Sequence, residues 1–530
     1  MPAVSARHRW AAIVAALALL AAMVAISRDF GFTWDERFQQ KYGEQIWDYY
    51  HGRLPRSTFE TNIIGNQHLY GGIVELICVA AQKLVPGDIY VTRHMVIASF
   101  GWLGIVFTGL LAGRAFGPRA GWLAAGLLAL SPRFFGDAMN NPKDAPFASL
   151  AIVTLYYALS VDVRRPRVSW PLAAKLALAI ALAINVRPLG LMLLLVSSGL
   201  IGLLALVAAV RGTDPDRWRS LAITAGRMAV VAIVAIPAGT IAWPWAQASP
   251  YLRVLEGFQI TSRLDWAKAF YVLFAGQDFG AGELPWTYVP TWLAIALPPV
   301  VLVGAALSVL AWRRGLEAAV TCAALTAFAG APVFMAIARN ATIYDGIRHL
   351  LFIVPPITIL SAAGWNAVLD ARRPFGGIAV LLLGVGLAEP LVFQIRNHPN
   401  QIVYFSPLAG GPRAAFGRYD MDYWANSVLQ AVQWSALVAE RSRMPIGVSG
   451  NPAQAVEADA ARYRSVWFAP RNSPDFHMDI RLLRGPRDAV REFAAREDVL
   501  HRVTTADGTP LCVVLPGPAF DRDRNRIQLD

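Results

Sequence analysis

"LYGGIVELICVAAQKLV", residues 69–85, is the stretch on which the topology turns. It is apolar, but barely long enough to cross a bilayer, which takes about 20 residues of helix. Read as a helix that lies in or dips into the outer leaflet, it leaves eleven expected spans near 11–27, 91–112, 120–135, 146–162, 172–187, 189–210, 221–243, 289–311, 317–337, 350–368 and 375–394. With the N-terminus inside, parity puts Arg114 to Arg119, Arg164 to Arg167, Arg211 to Arg219, Arg313–Arg314 and Arg372–Arg373 in cytoplasmic loops. Each of these short loops bears arginine, as the positive-inside rule requires. Counting 69–85 as a crossing inverts that pattern. Segments 120–135 and 172–187 are short for full crossings, so the orientation is fixed more firmly than the count, which is expected to be about 11–13 spans.

Composition agrees. Of 530 residues 55% are hydrophobic and 16% charged, where a soluble chain carries about a quarter charged; the mean hydropathy is +0.42. The expected fold is a mainly α, polytopic transmembrane bundle. The net charge of +12 lies largely in short arginine loops and does not imply nucleic acid. Cys78, Cys322 and Cys512 have no paired spacing, which excludes a disulfide framework and a zinc site. The N-terminus, "MPAVSARHRWAAIVAALALLAAMVAISRDF", has signal-peptide features but is read as an uncleaved first span, since the later spans need an anchor. There is no P-loop, no dinucleotide fingerprint and no His/Cys cluster. Asp-x-Asp occurs at Asp214/Asp216, Asp420/Asp422 and Asp521/Asp523, in settings too different for the motif to be informative.

The outer side holds the long loops: 28–90, 136–144, 244–288, 338–349 and the tail 395–530. In the first, Trp34, Phe38, Tyr42, Ile46 and Tyr50 line one stripe of a helix, and Glu36, Gln40, Glu44 and Asp48 another. Such a helix suits the plane of the interface. The chain divides into a membrane domain, 1–394, and a small periplasmic α/β lobe, 395–530. In the lobe "NSVLQAVQWSALVAERS" has helical period, and "MPIGVSG" and "PLCVVLP" read as strands.

Four outer constellations bear chemistry. Thr33 to Glu36 fit a capping box that uses Thr33 and Glu36 and leaves Asp35 free as a base for a hydroxyl. In "SPRFFGDAMNNPKDAPFASL" (131–150), Asp144 and Pro146 suit a helix start. That leaves Asp137, Asn140, Asn141 and Lys143, one of only five lysines, crowded into a short loop where they suit a sugar and a phosphate. Arg187 in "INVRPLG" either snorkels or grips a lipid phosphate. In "YDGIRHLLF", Tyr344 and Asp345 precede Arg348 and His349, a cationic patch suited to a phosphate leaving group.

An N-terminal span followed by Asp-Glu, an interfacial helix, a second acidic outer loop and many further spans together resemble the GT-C membrane glycosyltransferases. "SPRFFGDAMNNPKDAPF", "NVRPLGL", "YDGIRHLLF" and "HPNQIVYFSPLAGGPRAAFGRYDMDYW" look like motifs of glycosyltransferase family 39, the protein O-mannosyltransferase and lipid A aminoarabinose transferase group, over roughly residues 10–425. The resemblance implies transfer of a sugar from a polyprenyl-phosphate donor, with inversion, on the periplasmic face of a bacterial inner membrane. The acceptor would be an envelope lipid, a glycan or a protein. It places the general base on Asp35, supported by Glu36, and the second-loop acid on Asp137 or Asp144. Basic residues that bind the carrier phosphate fall on Lys143, Arg187, Arg348 and His349. A divalent cation, Mg²⁺ or Mn²⁺, stays open beside neutralisation by Lys and Arg. The lobe after Ile395 departs from the carbohydrate-binding tails of eukaryotic members. The alternatives are a transporter or flippase of lipid-linked sugars, disfavoured because no half-repeat is visible, and a non-catalytic subunit.

Overall fold

The structure is a computed structural model that describes residues 6–60, 64–211, 215–370, 375–521 and 527–529. Arg372–Arg373 and the Asp-x-Asp members Asp214 and Asp523 lie outside the described residues.

The chain opens with α1 (Ala6–Ile26), then α2 (Glu36–Tyr50) and α3 (Ile73–Leu84). The deciding stretch is α3, at 12 residues too short to cross a membrane. The stripe on α2 is covered by protein instead of lying free at an interface: Tyr42 and Ile46 are buried, while Tyr50 is exposed. Gly43 makes this possible, since a Cβ there would stand 2.8 Å from the Glu75 carbonyl on α3.

The bundle continues with α4 (Ile89–Phe116), α5 (Pro118–Ala129), α6 (Pro132–Asn140), α7 (Asp144–Ala158), α8 (Trp170–Ile184), α9 (Gly190–Arg211), α10 (Arg217–Ala238) and α11 (Pro250–Arg263). A hairpin follows, β1 (Tyr271–Phe274) and β2 (Gln277–Gly280), and then α12 (Tyr288–Ala296), α13 (Pro299–Leu307), α14 (Leu316–Ala338), α15 (Val354–Leu369) and α16 (Phe375–Arg396). All eleven expected segments are helical. Seven helices among the described residues are long and apolar enough to span, or eight if α12 and α13, bent by 108°, form one span. This is a multi-pass membrane protein.

The remaining segments fall short for local reasons. Gly117, at φ +96°, and Pro118 break α4 from α5. Leu297 and Pro298 separate α12 from α13. At 15 residues α7 rises about 22 Å, less than the hydrocarbon thickness. It is buried nearly all round, so it is a central strut of the bundle.

The arginine loops meet at one end of the bundle. Arg114 donates to the Ser160 carbonyl (3.0 Å), Arg119 and Arg314 both pair with Asp370, and Arg167 donates to Ser220 (2.8 Å). The opposite end collects the starts of α4, α7 and α9 and the residues before α15, and the lobe sits there. After α17 (Gly411–Ala415), α18 (Val428–Ser442) packs on a five-stranded sheet of order β4-β3-β5-β7-β6. Its strands are β3 (Ile446–Asn451), β4 (Val466–Phe468), β5 (Met478–Leu482), β6 (His501–Thr504) and β7 (Pro510–Pro516), with α19 (Ala453–Ala460) between β3 and β4 and α20 (Arg487–Ala495) between β5 and β6. β3 pairs in parallel with β4 and β5, and β7 is antiparallel to β5 and β6. The helix and both strands expected from the tail are α18, β3 and β7.

Residues 30–33 join the two bodies. Phe30 packs into the bundle core and Phe32 into the lobe core beside Val428, Val448 and Ile480. Gly31 N–H donates to Asn426 Oδ1 at 2.8 Å. Residues 402–424 pack into the bundle core, and the lobe's own core gathers from Ala425 onward.

A close approach at Gly71 sets the first loop against α8. A Cβ at Gly71 would lie 2.1 Å from the Asn185 carbonyl, whereas one at Gly126, inside α5, meets nothing within 4 Å. Gly71→Ala is expected to destabilise by about 1–3 kcal/mol, the cost of overpacking a tight site. Gly126→Ala should be neutral or stabilising, and thermal unfolding in detergent compares the two.

Candidate active site

The free carboxylate comes from the start of α2. Half of the expected capping box forms: the Glu36 carboxylate accepts from Thr33 N–H at 2.8 Å, while the buried Thr33 hydroxyl has no partner. Glu36 is wholly buried, with His94 Nε2 at 3.0 Å and Arg93 Nε at 3.8 Å, both on α4. Burial pushes the Glu36 carboxyl up, but His94, Arg93 and the Thr33 N–H outweigh it and hold it below the ordinary range. Asp35 is half-buried, and its carboxylate has no hydrogen-bond or ion-pair partner among the described residues. Its charge reaches Lys143, Tyr344 and Arg348.

Residues 137–144, expected as a loop, are the end of α6 and the turn into α7, and they divide their labour. Asn141 Oδ1 accepts from the N–H groups of Lys143 (3.2 Å) and Asp144 (2.9 Å), so Asn141, not Asp144, caps α7. Its amide then donates to Asp137 (2.9 Å) and Asp144 (3.0 Å). Asp137 also accepts from Trp424 Nε1 (2.9 Å) and Tyr423 OH (3.2 Å), and burial pushes its carboxyl up to about 6. Asn140 turns to Gly31 O and Asn426. Asp137 and Asn140 therefore hold residues 423–426 and 31 against α6.

Asp144 is the hub. Its carboxylate takes Arg187 at 2.6 Å and Arg348 at 3.5 Å. Arg187 sits in the turn from α8 to α9; Arg348 precedes α15. Arg348 also meets Asp345 at 3.1 Å and lies over the rings of Tyr344 (4.5 Å) and Trp424 (5.0 Å). Asp345 is left-handed, at φ +58°, and its other oxygen pairs with Arg484 of the lobe. His349 meets Tyr344 edge-on at 4.6 Å. Lys143 Nζ donates to Gln67 at 2.6 Å and stands 4.1 Å above the Tyr70 ring. Tyr70 in turn lies within electrostatic reach of Arg187, Tyr344, Arg348 and Asp144.

Of the residues expected from sequence, Asp35, Lys143, Asp144, Arg187, Tyr344, Asp345, Arg348 and His349 thus surround one region; Asn141 supports it, Glu36 braces it, and Asp137 joins it through Asn141 and Trp424. Sequence reasoning missed Gln67, Tyr70, His94 and Arg484. Only long-range packing brings these in, and no local spacing marks them. Tyr423 and Trp424 did lie in a quoted motif, without a role.

The donor set does not suit a divalent cation. Among the described residues no group of three or more His, Cys, Asp or Glu converges, and Asp144 already faces two guanidiniums. No step is routed through a metal.

The chain is similar in structure to ArnT from Cupriavidus metallidurans in the apo state (14% identity, 96% of this chain and 98% of that one, TM-score 0.48). The same protein bound to undecaprenyl phosphate gives 14% identity, the same coverage of 96% and 98%, and a TM-score of 0.47. The apo oligosaccharyltransferase of Archaeoglobus fulgidus gives 12% identity over 88% of this chain and 69% of that one, with a TM-score of 0.43. No protein-family profile and no curated protein matches the chain. Nothing in these comparisons places the chain in glycosyltransferase family 39.

Burial pushes the Lys143 ammonium down to about 8 against the pull of Glu75 and Asp35. A lysine with a lowered value loses its charge as pH rises through that value, so binding of an anionic ligand should weaken above about pH 8. Lys143→Arg, whose charge persists, should carry binding to higher pH. A binding–pH titration of polyprenyl phosphate checks both.

Proposed function

We propose that the protein is an integral-membrane glycosyltransferase. It moves a sugar from a polyprenyl-phosphate donor to an acceptor hydroxyl, on an envelope lipid, glycan or protein, with inversion and on the periplasmic face of the inner membrane. The observation that supports this most is an unpaired carboxylate, Asp35, set among Lys143, Arg187 and Arg348 at the end of a membrane bundle opposite its arginine loops.

The chemistry follows from the leaving group. A phosphate departs as an anion, so it needs cations rather than a proton donor. Asp35 takes the proton of the acceptor hydroxyl as its oxygen attacks the anomeric carbon. The bond from that carbon to the phosphate oxygen breaks, and its electron pair stays on the phosphate. Lys143, Arg187 and Arg348 stabilise the growing charge. Arg187 Nε is buried without a hydrogen-bond partner, a donor left for a ligand. The Tyr70 and Tyr344 rings offer apolar walls against which a sugar can stack. Glu36 is a positioning residue: its carboxylate is spent on His94, Arg93 and Thr33, and it fixes the start of α2 from which Asp35 projects. Asp144, rather than Asp137, fills the place of the second-loop acid, because it alone of the two holds the cations. A transporter needs a pathway between both faces; the clustering of reactive groups at one end favours the enzyme.

Asp35→Asn keeps shape and removes the base. It should lower turnover about 100- to 10,000-fold while leaving polyprenyl-phosphate binding intact. Wild-type turnover of a polyprenyl-phosphate sugar by this variant, followed by loss of donor, refutes the assignment.

A further inference from the structure

The C-terminal lobe sends one charge into the site. Arg484, just beyond β5, pairs with Asp345, and Asp345 meets Arg348 at 3.1 Å. Arg348 reaches Asp144 at 3.5 Å, and Asp144 meets Arg187 at 2.6 Å. The five charges alternate in sign from lobe to bundle: three guanidiniums and two carboxylates. Arg484 also lies 5.6 Å over the ring of Trp34, the residue before Asp35. Asp420, within electrostatic reach of Arg484, is buried, and its carboxylate accepts from Leu273 N–H at 3.1 Å.

This arrangement solves an electrostatic problem. Asp345 stands beside the phosphate-binding Arg348, and an unshared carboxylate there would cancel the guanidinium charge and repel an incoming phosphate. Both side chains are buried, where charges interact far more strongly than in water. A second cation on the other oxygen of Asp345 takes up its charge and leaves Arg348 available. The left-handed backbone of Asp345 aims one carboxylate at two arginines from different bodies.

We infer that Arg484 is a positioning residue of the donor site: by neutralising Asp345, the lobe sets the affinity of the bundle's arginines for a lipid-linked phosphate. The inference rests on the functional reading above. It makes the lobe a working part of the donor site, reaching from β5 to the mouth of the bundle. It also accounts for an acid, Asp345, next to an anion-binding arginine.

The test uses the full-length protein in nanodiscs, titrated with polyprenyl phosphate and with polyprenol as the uncharged control. Arg484→Gln should weaken polyprenyl-phosphate binding about tenfold or more, as for coupled neighbouring charges. Arg441→Gln, on the exposed end of α18, should change nothing. The deciding variant is Asp345→Asn/Arg484→Gln: with the acid gone the lobe cation is not needed, and affinity should return toward wild type. A role confined to docking the lobe would leave the double variant as weak as Arg484→Gln, and that result overturns the inference, as does unchanged binding in Arg484→Gln. Should Arg484→Gln fail to fold, Arg484→Lys decides: binding near wild type with the charge kept supports the inference, and binding as weak as with the charge lost contradicts it. A wild-type protein that does not distinguish polyprenyl phosphate from polyprenol refutes the functional reading instead, and the inference with it.

Discussion

A carboxylate buried inside a bundle of apolar helices is tolerable only with cations beside it, and Asp144 obtains two, from positions 43 and 204 residues further along the chain. Removing a charge from water costs several kcal/mol, and losing one partner of such a pair leaves the other stranded. The start of α7, the turn between α8 and α9 and the approach to α15 are therefore held at one point. Asn141 completes the arrangement by capping α7 and bonding the Asp144 carboxylate. The geometry of the proposed phosphate site is thus a consequence of satisfying one buried charge.

The same end of the bundle is closed by the N-terminal loop and the lobe. Phe30 and Phe32 point into different cores, so residues 30–33 act as a rivet whose head is the Gly31–Asn426 hydrogen bond. Immediately after the rivet, Glu36 is gripped by His94 and Arg93, leaving Asp35 between two anchored points with its own carboxylate unspent. A general base needs this combination: a fixed backbone and an unengaged oxygen. The lobe, the first loop and the bundle are consequently mechanically linked through a few residues next to Asp35.

Much of this was legible in the sequence. Hydrophobic runs marked the eleven apolar helical segments but not α11, α19 or α20, and arginine parity separated the two ends of the bundle. Residues 69–85 read as a short, non-crossing helix because length and charge agreed. Span length was harder: α5, α7 and α8 are shortened by Gly-Pro and Pro breaks and by the polar 141–143 turn, and α7 is apolar because protein, not lipid, surrounds it. For the same reason the α2 stripe resembled an interfacial face although α3 covers it. At the site, Asp35 stood out because the capping box had no use for it, and Lys143 because lysine is rare. The different surroundings of Asp137, in α6, and Asp144, at the start of α7, were beyond local reading, since they are set by partners far along the chain, Trp424 against Arg187 and Arg348. Arg484 was invisible because its partner lies 139 residues away.

The central claim is that the cations gathered by Asp144 hold a lipid-borne phosphate beside Asp35. Photo-cross-linking with a polyprenyl phosphate bearing a diazirine on its first isoprene unit tests it most directly, with labelled peptides read by mass spectrometry. The account predicts adducts within 66–72, 141–147, 185–190 and 343–349, competed away by unlabelled polyprenyl phosphate. Adducts confined to the arginine loops at 114–119 and 164–167, or spread over the exposed faces of α9 and α16, would contradict it.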